Sequence, residues 1–218
     1  MQQLFFNFPI KPTYLTEDFF ISPANNEAFT YLNKWPEWDS GIYSKTLLLY
    51  GEDGSGKTHL SHIWKSLSNA EIITQDNCYN LNQFISYKAL ILEDIELIDE
   101  ESILHLINFS NENQQYLLLT SKYSPTNLKY NLADLRSRIL SIPSIALNSP
   151  EPELLKAVLL KHLSDRQLKI NPITLEYIVI RIDRSFSKLS QFIQEIDKET
   201  NTSKRPITIP LVKEILKI

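Results

Sequence analysis

The feature that most constrains this chain is an eight-residue window that holds three of its four glycines. The window, Gly51-Glu52-Asp53-Gly54-Ser55-Gly56-Lys57-Thr58, matches G-x-x-x-x-G-K-[ST], the phosphate-binding loop or P-loop. An apolar run precedes it and a helical pattern follows it, which is the strand–turn–helix context that the motif requires. Glycines let backbone amides turn toward a phosphate at places where a Cβ would block the approach. The window predicts that the chain binds a nucleoside di- or triphosphate.

Two residues of the window have distinct predicted roles. Lys57 supplies a positive charge for the β- and γ-phosphates, and the Thr58 hydroxyl is a predicted ligand of Mg²⁺. The alternative is a surface turn that carries Lys-Thr by chance, and the four fixed positions coincide in roughly one chain in a hundred of this length. The predicted nucleotide site also includes the neighbouring residues Gly51, Asp53, Gly54, Ser55, Gly56 and His59.

Composition limits the class of protein. The chain has 218 residues, of which 43% are apolar, so it can bury a real core. Its net charge of −4, with scattered Lys and Arg, argues against a large nucleic-acid footprint. The single cysteine, Cys78, cannot form an internal disulfide and fits a reducing compartment. Neither a membrane span nor a signal peptide is visible, so we expect a cytoplasmic protein.

Two kinds of pattern divide the chain. Up to about residue 148, apolar runs at 46–50, 71–74, 89–92, 116–120 and 142–146 alternate with helical patterns, among them 81–85 and 99–109. Ser22-Pro23 marks the start of an earlier helix. Beyond Asn148 only helical stripes follow. The expected architecture is an α/β domain with a parallel sheet covered on both faces, followed by a small helical domain. We assign residues 1–15 to an N-terminal tail, 16–148 to the α/β domain and 149–218 to the helical domain.

An acidic pair ends the apolar strand at 89–92. In P-loop ATPases such a strand lies beside the loop, its first acid orients the Mg²⁺ shell, and its second orients the attacking water. The alternative is a strand that simply meets water at its end. Many ATPases place Asp before Glu, whereas this chain has Glu93 before Asp94. Because displacements of about 1 Å can cost about a hundredfold in rate, we expect nucleotide binding to survive better than hydrolysis.

These residues resemble the AAA+ module of DnaA replication initiators, and most closely the short Hda-type members of that family. The likeness extends over nearly the whole chain and is densest at 181–184 and 207–217. It implies an αβα AAA+ domain followed by a helical lid. It places Asn25 in the purine pocket, and it identifies Arg138, in Asp134-Leu135-Arg136-Ser137-Arg138, as an arginine finger that acts on a neighbouring subunit. Without the resemblance, Arg138 reads as an ordinary surface arginine.

Departures from the family pattern concern hydrolysis. Lys122 stands after Thr120-Ser121, where the family has a sensor aspartate, and Ser187 aligns with the arginine of the lid. Lys188 or Arg184, one turn back, could substitute for that arginine. The acidic pair is altered as well. Together these changes predict a protein that holds ATP or ADP with Mg²⁺, through Thr58 and Glu93, and is at most a weak ATPase.

The N-terminal tail resembles the sliding-clamp peptide of Hda-type proteins. Gln3 and Leu4 keep the start of that peptide, and Phe6 and Phe8 supply its alternate apolar side chains. The alternative is a tail folded onto its own domain. The DNA-binding helix-turn-helix domain of the initiator has no counterpart before Ile218, so we expect no sequence-specific DNA binding.

The resemblance therefore implies a regulator of replication initiation. Its partners would be the DNA polymerase sliding clamp and the DnaA initiator, whose ATP hydrolysis Arg138 would promote. A stand-alone AAA+ ATPase, working as a helicase-loading or remodelling factor in its own homo-oligomer, is the alternative function. A small-molecule kinase fits the all-helical C-terminal third less well.

Overall fold

The structure, a computed structural model, describes residues 19–38, 45–203 and 205–218, and for residues 201–203 it describes the backbone alone. The tail at 1–15, with Gln3, Leu4, Phe6 and Phe8, lies outside the described residues. The clamp-binding peptide therefore stays a prediction from sequence.

Five parallel strands form the central sheet, in the order β2-β3-β4-β1-β5. Their side chains are almost all apolar because both faces of the sheet are covered, which is the pattern of a parallel sheet between helical layers. The predicted strands are all present, with bounds β1 Thr46–Tyr50, β2 Glu71–Ile73, β3 Ala89–Leu92, β4 Tyr116–Ser121 and β5 Ser144–Ala146.

Helices cover the sheet in two layers. Side chains of α1 (Asn26–Asn33) and α2 (Lys57–Ser68) pack with Leu47, Leu49 and Ile91 on one face. On the other face, α3 (Glu100–Glu112) and α4 (Ala133–Ser141) pack with the alternate side chains of the same strands. The α/β domain is therefore the αβα sandwich that the sequence predicts.

The order of the strands refines one expectation about the site. The sequence places the strand that ends in Glu93 and Asp94 beside the P-loop, but β4 lies between β3 and β1. Residue Tyr50 of β1 is paired with Ser121 of β4. The polar end of β4 is therefore the immediate neighbour of the P-loop, and the acidic pair lies one strand farther away.

Two predicted helix positions are corrected. The first helix begins at Asn26 and not at Ser22-Pro23, because Asn25 has a non-helical backbone (φ −134°, ψ −6°) and its side chain accepts from the Ser22 amide (2.8 Å) in a separate turn. The helical pattern near 81–85 is a short 3₁₀ turn at Leu81–Phe84.

The C-terminal segment is wholly helical between residues 152 and 216, apart from its connections. It contains α5 (Pro152–Asp165), α6 (Pro172–Arg181), α7 (Phe186–Ser203) and α8 (Ile209–Leu216). The predicted stripes form a core separate from the two cores of the sheet, which includes Leu159, Ile178, Phe192 and Ile196.

The change from strands to helices falls between the end of β5 at Ala146 and the start of α5 at Pro152, and the domain bounds stay a prediction from sequence. Within the described ranges, no helix has both the length and the apolar character that a bilayer crossing requires.

Candidate functional site

The P-loop joins β1 to α2 and has a backbone that only glycine permits at three places. A Cβ on Gly51 would lie 2.3 Å from the Leu147 carbonyl oxygen, so no larger residue fits there. Gly54 and Gly56 have φ angles of +76° and +105°, which side chains disfavour. The amide of Gly51 donates to the Ser121 carbonyl (3.1 Å), which fixes the loop to the end of β4.

Lys57 and Ser55 place polar groups inside the loop. Lys57 is 7% exposed, and its Nζ donates to the carbonyl oxygens of Gly51 (2.6 Å) and Glu52 (3.2 Å). Ser55 is 3% exposed, and its Oγ has no hydrogen-bond partner among the described residues. A buried hydroxyl without a partner, beside an ammonium group and the start of a helix, is a suitable cradle for an anion.

Thr58 and Glu93 are the predicted magnesium ligands, and they stay a prediction from sequence. Thr58 is half-buried in the first turn of α2. Glu93 is half-buried at the end of β3, and its Oε1 has no hydrogen-bond partner in the described part of the chain. No cluster of three or more His, Cys, Asp or Glu side chains forms a metal site within that part. This donor set fits Mg²⁺, which takes one or two protein ligands together with nucleotide phosphates and water.

Asp94 lies in an unusual backbone conformation. Its φ angle is +51°, in the left-handed region, and its amide donates to the buried Thr120 Oγ1 (3.0 Å). Although the residue keeps an exposed face, desolvation by surrounding protein atoms and the nearby Glu96 carboxylate raise the pKa of Asp94. Thr120 therefore anchors the acidic pair through the backbone, a contact between two strand ends that the sequence did not predict.

Lys122 connects the end of β4 to the P-loop. Its Nζ is 2.8 Å from Asp53 Oδ2 and 3.9 Å from Glu52 Oε2. The hydrogen bond from Lys122 lowers the pKa of Asp53. The sequence predicts Lys122 as a residue at a polar strand end that departs from the family pattern. It does not predict the pair with Asp53, because 69 residues separate the two.

The lid contacts the P-loop directly at the start of α7. The amide of Phe186 donates to the Gly54 carbonyl (2.8 Å), and Ser185 Oγ donates to the Asp53 carbonyl (3.1 Å). Ser187 Oγ lies 2.8 Å from Ser185 Oγ. A Cβ on Gly54 would lie 2.2 Å from Ser185 Oγ. The predicted sensor position, Ser187, therefore does lie at the loop, with a short hydroxyl in place of a guanidinium group.

Asn25 and His59 belong to a contact between the first described segment and the loop helix. Asn25 is 3% exposed, and its side chain accepts from the Ser22 amide (2.8 Å) and donates to the Phe20 carbonyl (2.9 Å). The ring of His59 packs edge-on against Phe19, with centroids 5.2 Å apart. The side-chain amide of Asn25 thus holds the segment that lies against the first turn of α2.

Arg138 lies on α4, a helix that is far from the P-loop in sequence. Its Nε donates to Asp134 Oδ1 (3.1 Å), and a quarter of its side chain is exposed. Glu100 of α3 accepts from the amides of Asn131 (2.9 Å) and Leu132 (2.7 Å), which lowers the pKa of Glu100. The carboxylate of Glu100 therefore fixes the start of the helix that carries Arg138.

Comparisons with known proteins agree with this arrangement. Residues 153–216 match the family model of the Hda lid domain. Domain III of the Thermotoga maritima replication initiation protein DnaA is similar at a TM-score of 0.79 and 20% identity, over 96% of this chain and 98% of that one. AMPPCP-bound DnaA from Aquifex aeolicus is similar at 0.72 and 17%, over 88% of this chain and 67% of that one.

A more distant likeness concerns a branch migration motor. The RuvB Holliday junction motor of Thermotoga maritima is similar at a TM-score of 0.61 and 19% identity, over 79% of this chain and 61% of that one. At such identities the structural likenesses establish the fold, an AAA+ α/β domain with a helical lid. The predicted resemblance to DnaA and Hda proteins is confirmed by the family match of the lid together with this fold.

Proposed function

We propose that this chain, an AAA+ protein of the DnaA/Hda type, is a nucleotide-binding regulator of the initiation of DNA replication. The observation that carries the proposal is the Hda lid match at residues 153–216, in a chain whose lid bonds directly to its P-loop. The similar DnaA protein of Thermotoga maritima is a replication initiation protein, which supports the process in which we place this chain.

The proposed ligand is ADP or ATP with Mg²⁺. Its phosphates would lie against the amides of the loop, with Lys57 as the cation and the unpartnered Ser55 hydroxyl as an additional donor. Thr58 and Glu93 would hold the Mg²⁺ ion, which supplies charge neutralisation between the phosphates. Asn25 and His59 are the proposed neighbours of the base. The AMPPCP-bound DnaA from Aquifex aeolicus supports a nucleotide ligand for this fold.

Hydrolysis in this site is proposed to be slow. The carboxylate of Asp94 is short and exposed, and the backbone amide of Asp94 donates to Thr120 Oγ1. The Lys122 ammonium is held by Asp53, and Ser187 offers a hydroxyl group where a cation would stabilise the γ-phosphate. Each change removes a group that would stabilise the transition state without removing the cradle that binds the ground state.

Arg138 is the proposed active group toward the partner. A finger arginine supplies transition-state charge to a nucleotide held by a neighbouring subunit, here the DnaA initiator. Its position on a helix whose start is fixed by Glu100, and its pairing with Asp134, support a preset guanidinium group at the surface. The tail residues Gln3, Leu4, Phe6 and Phe8 are proposed to bring the protein to the sliding clamp, on the grounds of sequence alone.

The test measures ATP hydrolysis by purified DnaA initiator in the presence of clamp-loaded DNA. We expect the wild-type chain to stimulate hydrolysis and Arg138→Ala to lose at least about tenfold of that stimulation, since arginine fingers contribute about 10³–10⁵ in rate. Arg136→Ala is the matched control, because it removes an exposed arginine two residues earlier on the same helix.

Clamp capture is checked by a pull-down with wild type and Gln3→Ala/Leu4→Ala.

Two outcomes contradict the proposal in different ways. Equal stimulation by wild type and Arg138→Ala would remove the finger role. Fast hydrolysis by the purified chain alone, with no need for initiator or clamp, would favour the stand-alone ATPase instead.

A further inference from the structure

The P-loop of this chain contains two carboxylates close to the proposed phosphate site. The side chains of Glu52 and Asp53 are both 73% exposed, and they occupy the two positions before Gly54 in the loop. A nucleotide brings two or three negative charges to the same loop. Like charges a few ångströms apart oppose each other, so these carboxylates disfavour binding unless a cation offsets them.

Lys122 provides that cation from a fixed position. Its Nζ lies 2.8 Å from Asp53 Oδ2, and its amide donates to Glu96 Oε1 (2.9 Å). The preceding residue, Ser121, accepts a hydrogen bond from the Gly51 amide. The lysine is therefore tied to the loop by its backbone neighbour and by its side chain together. The pKa of Lys122 is raised by the hydrogen bond and the charge of Asp53, in agreement with a persistent pair.

We propose that Lys122 is a positioning residue for phosphate binding, which acts by offsetting Asp53 and not by contacting the phosphates. This inference rests on the proposed binding of nucleotide. It assigns a use to the residue that departs from the family pattern, because a cation at this place compensates an acidic loop. A direct phosphate sensor would make the opposite prediction, namely that Lys122 matters equally whether or not Asp53 is charged.

A double-mutant cycle separates these two roles. We would measure ADP affinity by calorimetry for wild type, Lys122→Met, Asp53→Asn and the double variant Asp53→Asn/Lys122→Met. Met keeps the length of the side chain without its charge, and Asn keeps the shape of Asp. Lys122→Arg tests rescue by charge. Lys88→Ala is the control for net charge, because Lys88 is exposed and precedes β3, at the end of the parallel sheet opposite the loop.

We expect Lys122→Met to bind ADP about fivefold more weakly, the effect of one partly exposed charge pair. Lys122→Arg and Lys88→Ala should stay within about twofold of wild type, and the double variant should return to within about twofold as well. The loss in Lys122→Met should also shrink at high salt, since the pair is open to solvent. Thermal unfolding without nucleotide checks that each variant is folded.

The possible results are distinct. If Lys122→Met weakens binding by the same factor in the Asp53→Asn background, the lysine contacts the phosphates itself and the inference is overturned. If Lys122→Met binds ADP as tightly as wild type, the inference about Lys122 is wrong, and the proposed binding of nucleotide stands. If folded wild-type protein binds no ADP, the proposed function fails, and the inference fails with it.

Discussion

The P-loop and the polar ends of β3 and β4 differ in how deeply their functional groups are buried. Lys57 and Ser55 are at least nine-tenths buried, and the glycines around them are required by close neighbouring atoms, at Gly51 and Gly54, or by a positive φ angle, at Gly54 and Gly56. Asp94, in contrast, is exposed, and the Lys122–Asp53 pair is open to solvent. The groups proposed to contact the phosphates are thus part of the fold, whereas Asp94, proposed to act in hydrolysis, and the pair proposed to offset the charge of the loop are peripheral. Contact with the phosphates and hydrolysis therefore depend on different parts of the site.

The largest expected effect tests the buried half of this comparison. Lys57→Ala removes the cation at the centre of the loop, and we expect ADP affinity to fall at least about 100-fold. The stabilisation of the fold by saturating ADP, about 2.7 kcal/mol at 100 times the dissociation constant, should disappear with it. Calorimetry and thermal unfolding with and without ADP measure both effects.

Lys65→Ala is the control for this change, because it removes a partly exposed lysine from the same helix. Affinity within about twofold of wild type is expected there. Retention of tight binding by Lys57→Ala would remove the contrast between the two halves of the site.

An intermediate effect concerns the contact between lid and loop. Gly54→Ala would place a Cβ 2.2 Å from Ser185 Oγ and 2.8 Å from the Ser187 amide nitrogen, and it would strain a φ angle of +76°. We expect a loss of roughly 2–3 kcal/mol of stability, from about 1–2 kcal/mol of backbone strain plus the displacement of α7. Hydrogen exchange at the Phe186 amide, which donates to Gly54, should accelerate.

Gly56→Ala is the matched control for that strain. Its φ angle is +105°, but a Cβ there would come no nearer than 3.8 Å to the atoms around it. It should therefore lose stability without faster exchange at Phe186. Equal exchange in the two variants would show that the lid does not depend on this contact.

The smallest expected effect concerns Asp94, an exposed group of the site, and the pH dependence of the free energy of unfolding. Because the pKa of Asp94 is raised on folding, the folded protein binds its proton more tightly, and the carboxylate lowers stability above that raised pKa. Asp94→Asn should raise the free energy of unfolding at pH 7 by about 0.5 kcal/mol or less. The gain should vanish as the pH falls toward the ordinary value of 3.8.

Denaturant titrations between pH 7 and pH 4 measure this difference. Asp99→Asn is the comparison, because Asp99 accepts from the Ser102 amide (2.9 Å), which lowers its pKa and gives the opposite sign. A loss of stability in Asp94→Asn at pH 7 would contradict the prediction that the charged carboxylate of Asp94 destabilises the fold.

The strands and the lid helices could be predicted, because a single hydrophobic pattern dominates each of them. The strands are continuous apolar runs between turn residues, and the lid helices have clear stripes, so both were found from sequence. Helix α4 was not predicted, because only Leu135 and Ile139 of its nine residues are buried. The predicted start of α1 was wrong because the side chains of Ser22 and Asn25 form hydrogen bonds with nearby backbone amides, and such local bonds compete with helix formation.

In the candidate site, too, local patterns could be predicted and long-range contacts could not. A local motif predicts the P-loop residues, since their roles follow from spacing within eight positions. The pair Lys122–Asp53 and the contact of Phe186 with Gly54 join residues 69 and 132 positions apart, and only the folded chain brings them together. The insertion of β4 between β3 and β1 likewise follows from sheet order and not from any run of residues.

All three tryptophans of the chain belong to α2 or to the end of the segment packed against it. Trp64 stacks on Trp38 with ring centroids 5.2 Å apart, and Tyr116 packs edge-on against both Trp35 and Trp38. Trp64 is seven residues after Lys57, about 10 Å along the helix at 1.5 Å per residue. The chain thus has intrinsic fluorophores on and against the helix that begins in the loop, and we expect a displacement of that helix that alters the Trp64–Trp38 stacking to change their emission.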